Sequence, residues 1–96
     1  MTKYELMFIV EPSLDDAKKE EAVEAVKSII TDEGGEVVDT DIWGMRKLAY
    51  PIQKKTEGYY VLMHFNAKPE LPKELDRRLR ISDNYIRHII INLDEK

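Results

Sequence analysis

The chain opens on strand-forming residues whose alternate side chains form two sets. The stretch KYELMFIV, residues 3–10, is rich in aromatic, β-branched and long apolar residues. A period of two places Tyr4, Leu6, Phe8 and Val10 on one face and Glu5, Met7 and Ile9 on the other. This pattern predicts a first β-strand.

The next segment carries the signals of a helix start. Pro12 ends the strand, Ser13 is placed as an N-cap, and Asp16 follows three residues later in the manner of a capping box. Gly34 and Gly35 can adopt the left-handed conformation that closes a helix. A helix is therefore predicted between these signals, with an apolar stripe made of Leu14, Ala17, Ala22, Val26, Ile29 and Ile30.

Two strands follow. The stretch EVVDTDIWGMRKLAYPI has no helical stripe, so it predicts a long second strand from about Glu36, kinked at Gly44 and ending at or before Pro51. The polar QKKTEG, residues 53–58, is interpreted as a mobile connection. YYVLMHFN, residues 59–66, predicts a third strand with two largely apolar faces.

The last third repeats the helix and strand pattern. ELPKELDRRLRI places Leu71, Leu75 and Leu79 on one side, which predicts an amphipathic helix with Pro72 in its first turn. YIRHIIINL, residues 85–93, predicts a fourth strand, followed by a short tail from about residue 93.

The order βαββαβ predicts a single α+β domain over residues 1–96 with a ferredoxin-like fold. Right-handed crossovers give a four-stranded antiparallel sheet in the order 4-1-3-2, with both helices on one face and the second strand at an edge. The other face is open to solvent or to a partner. We expect it to hold either Met7, Ile9, Tyr60, Leu62 and His64 or the residues of opposite parity, and it is apolar enough to suggest an interface.

Composition and charge limit the cellular compartment and the kinds of partner that we expect. The 96 residues include no cysteine, which excludes disulfides and thiolate metal sites and favours the cytoplasm. No signal peptide or membrane span is expected. Residues 1–41 hold four cations and twelve carboxylates, net −8, whereas residues 42–96 hold eleven cations and seven carboxylates, net +4. Such asymmetry is typical of polyanion binding, although an acidic helix compensated elsewhere would also produce it.

The sequence shows few patterns typical of a catalytic, metal or phosphate-binding site. His64 and His88 fall on different predicted strands without a partner at metal-ligand spacing, so structural roles are preferred. Adjacent carboxylates on a helix do not share a face, and EPSLDD is no phosphate-binding loop. The RNA-binding module with the same element order expects a cation where Glu57 stands and a small residue where Tyr60 stands. We predict no catalytic residue, metal or cofactor.

Three segments carry a family resemblance: YELMFIVEP, WGMRKLAYPIQKKTEGYY and LRISDNYIRHI. From Tyr4 to Asn92 the chain resembles the family of ribosomal protein six of the bacterial small subunit. The resemblance implies a cytoplasmic, ribosomal and structural protein without catalytic activity. It also implies binding to the central domain of small-subunit ribosomal RNA, as a heterodimer with ribosomal protein eighteen. The alternative from another class is a ferredoxin-like regulatory module that binds a metabolite.

The resemblance also implies contact residues. The expected RNA contacts are Arg46, Lys54, Lys55, Arg80, Arg87 and, more weakly, Lys3. The expected partner-protein contacts are Met7, Ile9, Tyr60, Leu62, His64 and Trp43.

Several of these positions have a purely structural alternative. Arg80 would also serve to neutralise a helix dipole or to pair with Asp83, and the stem of Arg87 would also pack on the sheet. Trp43 and Tyr50 are interpreted as strand-edge packing rather than base-stacking platforms. Because the net charge is negative, RNA affinity is expected to depend on joint binding with the partner.

Overall fold

The fold has the predicted element order, in a computed structural model that describes residues 1–52 and 55–94, without the side chain of Ile52. The elements are β1 (Thr2–Val10), α1 (Asp16–Asp32), β2 (Glu36–Ile52), β3 (Lys55–Ala67), α2 (Leu71–Ile81) and β4 (Tyr85–Asn92). They form one antiparallel sheet in the order β2-β3-β1-β4, with β2 at one edge and β4 at the other. This is the predicted order 4-1-3-2 read from the other edge.

The core lies between the helices and one face of the sheet. The even residues of β1 supply Leu6 and Phe8, and the odd residues of β3 supply Val61, Met63 and Phe65, all of them buried. Against these pack the helix side chains Val26, Ile30, Leu75 and Leu79, which are also buried. The parity left open by the sequence is thereby decided: Met7, Tyr60, Leu62 and His64 share the opposite face, which we call the open face.

The first helix starts later than the N-cap prediction placed it. The N-cap is Asp15, whose Oδ1 accepts a hydrogen bond from the backbone N–H of Lys18 at 2.8 Å. Ser13 instead donates its hydroxyl hydrogen to Glu11 Oε1 at 2.8 Å. The prediction that Ser13 caps the helix is therefore wrong, because the serine is engaged by the chain leaving β1 and Asp15 is the next residue able to cap.

Both strands of the hairpin between β2 and β3 are longer than predicted. The strand β2 continues through Pro51 to Ile52, which an edge position permits because the missing N–H leaves no inner ladder bond unmade. The strand β3 begins at Lys55, so residues 55–58 belong to a strand and not to a connection. Lys54, an expected RNA contact, lies outside the described residues.

Bulges bend β2. The register shifts between Val37 and Asp39, between Ile42 and Gly44, and again between Lys47 and Ile52. Gly44 has φ +79°, a left-handed conformation that disfavours other residues, which confirms the predicted kink. The bent strand carries Leu48 and Tyr50 over the open face.

Candidate interaction surface

The open face is organised as rows that run across the four strands. Strand pairing sets each row, because residues directly opposite each other point the same way. From β2 to β4 the three central rows are Asp39, His64, Glu5 and Ile91; then Asp41, Leu62, Met7 and Ile89; then Trp43 with Gly44, Tyr60, Ile9 and Arg87. The first row is therefore polar except for Ile91, the second is apolar except for Asp41, and the third is aromatic and aliphatic with a cation at one end.

His64 joins three strands in the first row. Its Nδ1 lies 2.7 Å from Asp39 Oδ1 and its Nε2 lies 3.0 Å from Glu5 Oε1. A neutral imidazole has one N–H, so only the doubly protonated ring can donate to both carboxylates. The hydrogen bonds that the ring donates to Asp39, above all, and to Glu5 raise the pKa of His64 above its ordinary value. The expected partner contact at His64 is thus already part of a charged network within this chain.

Apolar surface is exposed across the second row and at the neighbouring Ile91 of the first row, which together we call the apolar row. Met7 and Leu62 are half-buried at its centre, and Ile89 and Ile91 on β4 are exposed by 37% and 46%. The two isoleucines are absent from the contacts expected by resemblance, and the alternation in YIRHIIIN is the signal that points to them. Four apolar side chains therefore lie together on a face that the helices do not cover.

Ile9 differs from its neighbours on this face. It is only 2% exposed, because Leu48 and the rest of the bent hairpin lie over it. The expectation that Ile9 contacts a partner protein is therefore wrong for the folded chain: its side chain is buried inside the chain's own structure.

Arg87 meets Tyr50 across the full width of the sheet. The guanidinium lies 5.9 Å from the centre of the Tyr50 ring, and Nη1 donates a hydrogen bond to the Tyr50 hydroxyl. The two residues belong to opposite edge strands, so the contact exists only because the hairpin bends over the open face. Both side chains remain exposed, with their polar ends at the surface.

Trp43 and Tyr60 form an aromatic pair at the β2 edge. Their ring planes differ by 6° and their centroids are 6.3 Å apart. Trp43 Nε1 donates to Asp41 Oδ2 at 2.9 Å, which fixes the indole. With Ile42, Arg46 and Lys47 these residues line a shallow groove of about 690 Å³, which we call the edge groove. Arg46 and Lys47 both border this groove, although adjacent side chains of a regular strand point to opposite sides.

The other expected RNA cations lie apart from this groove. Lys55 Nζ is 3.2 Å from Glu11 Oε2, on the parity of β3 that faces the helices. Arg80 lies on α2 in the helix layer and pairs with Asp76, not with Asp83. Lys3 is exposed near the start of β1, where its backbone N–H donates to Asp94 Oδ2 at 3.0 Å. The described members of the expected set therefore do not form one continuous surface.

The described part of the chain offers little other chemistry. Within residues 1–52 and 55–94, no group of three or more His, Cys, Asp or Glu side chains has the arrangement to hold a metal ion. In the same ranges no helix combines the length and apolarity needed to cross a membrane. His88 Nε2 lies 2.5 Å from Asp76 Oδ1, a contact that joins β4 to α2.

The chain is similar to known proteins both in sequence and in fold. The family model for ribosomal protein S6 matches residues 3–92. The small ribosomal subunit protein bS6 of Clostridium acetobutylicum is 56% identical over 95 residues, which cover 99% of this chain and 100% of that protein. The bS6 protein of Caldanaerobacter subterraneus is 47% identical with the same coverage. The crystal structure of 30S ribosomal protein S6 from Thermotoga maritima has a TM-score of 0.91 at 34% identity, covering 95% of this chain and 86% of that one.

Proposed function

The chain belongs to the family of bacterial ribosomal protein S6, and from that premise we propose that it binds the central domain of small-subunit ribosomal RNA jointly with ribosomal protein eighteen. Membership itself makes the chain a structural protein of the small subunit of the bacterial, cytoplasmic ribosome. The proposal adds the RNA region, the protein partner and the absence of any catalytic activity.

The association with a protein partner is supported above all by the apolar row on the open face. Met7, Leu62, Ile89 and Ile91 form a contiguous apolar surface on the face that no helix covers. Leaving such a surface in water costs about 25 cal/mol for each Å² that a partner would cover. A protein partner that docks on β1, β3 and β4 would remove this cost.

The RNA binding is argued from cations of the open face, which also holds Glu5, Asp39 and Asp41 but lies away from the acidic first helix. The carboxylate-rich helix α1 lies behind the sheet, whereas Arg46, Lys47 and Arg87 stand on the open face or its edge. Phosphate approaching the open face meets these cations before the acidic helix, and contact with them releases counterions. Because only a few cations are exposed there, binding by this chain alone should be weak and a partner should strengthen it.

The test measures the protein association and the RNA binding separately. Association with purified ribosomal protein eighteen is followed by calorimetry, and binding to a central-domain RNA fragment is followed by gel shift with and without that partner, at low and moderate salt. Ile91→Asp should weaken the protein association at least about tenfold, since it places an unpaired carboxylate in the docked surface. The matched control is Ile81→Asp, an equally apolar residue 71% exposed in the helix layer, which should leave association unchanged.

Two results would contradict the proposal. One is tight RNA binding by this chain alone that does not weaken as salt rises. The other is an unchanged association with ribosomal protein eighteen in Ile91→Asp, because the apolar row would then have no part in docking. Neither result would support metabolite binding, and the family match favours the ribosomal role over that alternative.

A further inference from the structure

Trp43 stands on the open face, at a bulge in β2. Ile42 pairs with Val61 and Gly44 pairs with Tyr60, so Trp43 is the extra residue between two regular pairs. The left-handed Gly44 absorbs the change of direction. The earlier register shift between Val37 and Asp39 sets the parity that brings the indole beside Tyr60, and 43% of its surface stays exposed.

The exposed indole is held rigidly. Its N–H is bonded to Asp41 Oδ2 at 2.9 Å, and its ring lies within 6° of parallel to the ring of Tyr60. A flat apolar ring already fixed in place loses little entropy when another flat ring stacks on it. Among the described residues, Asp41 is the carboxylate that borders the edge groove, and one of its oxygens accepts the hydrogen bond from the indole.

Most of the other described cations in the second half of the chain form ion pairs, whereas the cations of the edge groove do not. Within the described residues, Lys55 is paired with Glu11, Arg77 and Arg78 with Glu74, and Arg80 with Asp76. Arg46 and Lys47 are also exposed and within the same ranges have no ion pair. Two cations without an ion pair among the described residues thus stand next to an aromatic face, with Glu57 opposite Lys47 on β3.

We propose that the edge groove binds one unpaired nucleotide of RNA, with the base stacked on Trp43 and the phosphate at Arg46 and Lys47. Stacking surfaces flanked by cations are what single-stranded nucleic acid requires, because every base has a flat face and every nucleotide carries a charge. The groove volume of about 690 Å³ also suits a ligand of this size.

A nucleotide explains the groove better than a protein partner does. Lysine is depleted in the buried centre of protein interfaces, where an unpaired ammonium would lose its hydration. The inference rests on the proposed RNA binding and refines it, because it moves Trp43 and Tyr60 from the protein contact to the RNA contact. It also replaces the interpretation of Trp43 as simple edge packing.

The test uses the complete complex of this chain, ribosomal protein eighteen and a central-domain RNA fragment. Trp43 is the single tryptophan of the chain, so its fluorescence reports on stacking directly, with Trp43→Leu as the blank for any signal from the partner. We expect quenching as RNA is added to the protein pair. Trp43→Leu should weaken RNA binding by the preformed pair roughly 5- to 150-fold, and Trp43→Phe should restore part of the loss.

A second set of variants tests the phosphate contact. Arg46→Gln and Lys47→Gln should each lower the slope of log affinity against log salt by about 1. The matched control is Arg77→Gln, a cation that is paired with Glu74 in the helix layer and should leave that slope unchanged.

The possible results distinguish a failure of the nucleotide site from a failure of the proposed function on which it rests. If the wild-type pair does not bind the RNA fragment, the proposed function fails and the nucleotide site fails with it. If the pair binds RNA without quenching and Trp43→Leu binds equally well, only the nucleotide site is overturned. It is also overturned if Trp43→Leu weakens association with ribosomal protein eighteen in the absence of RNA while leaving RNA binding by the formed pair unchanged, since the groove would then be a protein contact.

Discussion

Replacing Gly58 by alanine tests whether the bent hairpin is built on the absence of a side chain. Gly58 lies on β3 opposite Arg46, beneath the hairpin. A Cβ placed there would stand 2.2 Å from Ile9 Cγ2, far inside van der Waals contact. The methyl cannot move aside, because Leu48 Cδ2 and Ile86 Cδ1 lie 3.6 Å away. Ile9, only 2% exposed, has to shift instead.

The size of the effect follows from two opposing terms. Inserting a methyl group into a packed site typically costs about 1–3 kcal/mol. Restricting the unfolded chain by a glycine-to-alanine change returns about 0.4–1 kcal/mol where the backbone conformation is allowed. The net change is a loss of about 1–2 kcal/mol in the free energy of unfolding, which lowers the Tm by roughly 4–16 °C in a domain of this size.

Urea unfolding followed by far-ultraviolet circular dichroism measures this loss of stability. A double-mutant cycle tests whether the loss comes from the contact with Ile9. Ile9→Ala removes the methyl that the new Cβ would strike, so the two changes together should cost at least about 1 kcal/mol less than their sum. Gly44→Ala is the control: its Cβ meets nothing within 4 Å, and its cost of about 1 kcal/mol comes from φ +79° alone. A neutral or stabilising Gly58→Ala, or strict additivity with Ile9→Ala, would refute the packing argument.

Two further predictions concern the network on the open face and the start of α1. The pKa of His64 is raised by its bonds to Asp39 and Glu5, so its contribution to stability is complete below about pH 6.5 and is lost as the pH rises through the folded pKa. The difference in unfolding free energy between wild type and His64→Gln should therefore shrink above pH 6.5 in urea titrations, and a constant difference would count against the charged network. Asp15→Ala should cost about 1 kcal/mol of unfolding free energy because it removes the N-cap, whereas Ser13→Ala should cost much less; the reverse order would restore Ser13 as the cap.

The sequence by itself determined the elements, their order and the two faces of each central strand. Periodicity is a local property, and a period of two in β1 and β3 is enough to separate Leu6 and Phe8 from Met7. The pattern at Leu71, Leu75 and Leu79 located the second helix for the same reason. The family resemblance, carried by contiguous motifs, needed no tertiary information either.

Local signals were not enough where two residues competed for one role. Ser13 and Asp15 are both good caps, and the choice between them depends on the path of the chain after β1, where Glu11 is bonded to Asn84 by its backbone N–H at 2.8 Å. Asp83 was the partner considered for Arg80, yet Asp76 lies at a similar distance along the sequence and the helix geometry brings Asp76 into reach.

The tertiary structure alone decided what the open face presents. Two single-residue bulges and a longer irregularity between Lys47 and Ile52 shift the register of β2, and because side chains alternate with a period of two, each shift changes which residues face outward. Those shifts bury Ile9, bring Tyr50 to Arg87 from the opposite edge and set Trp43 beside Tyr60. Composition and spacing cannot report these contacts, since they depend on pairing between residues far apart in the chain.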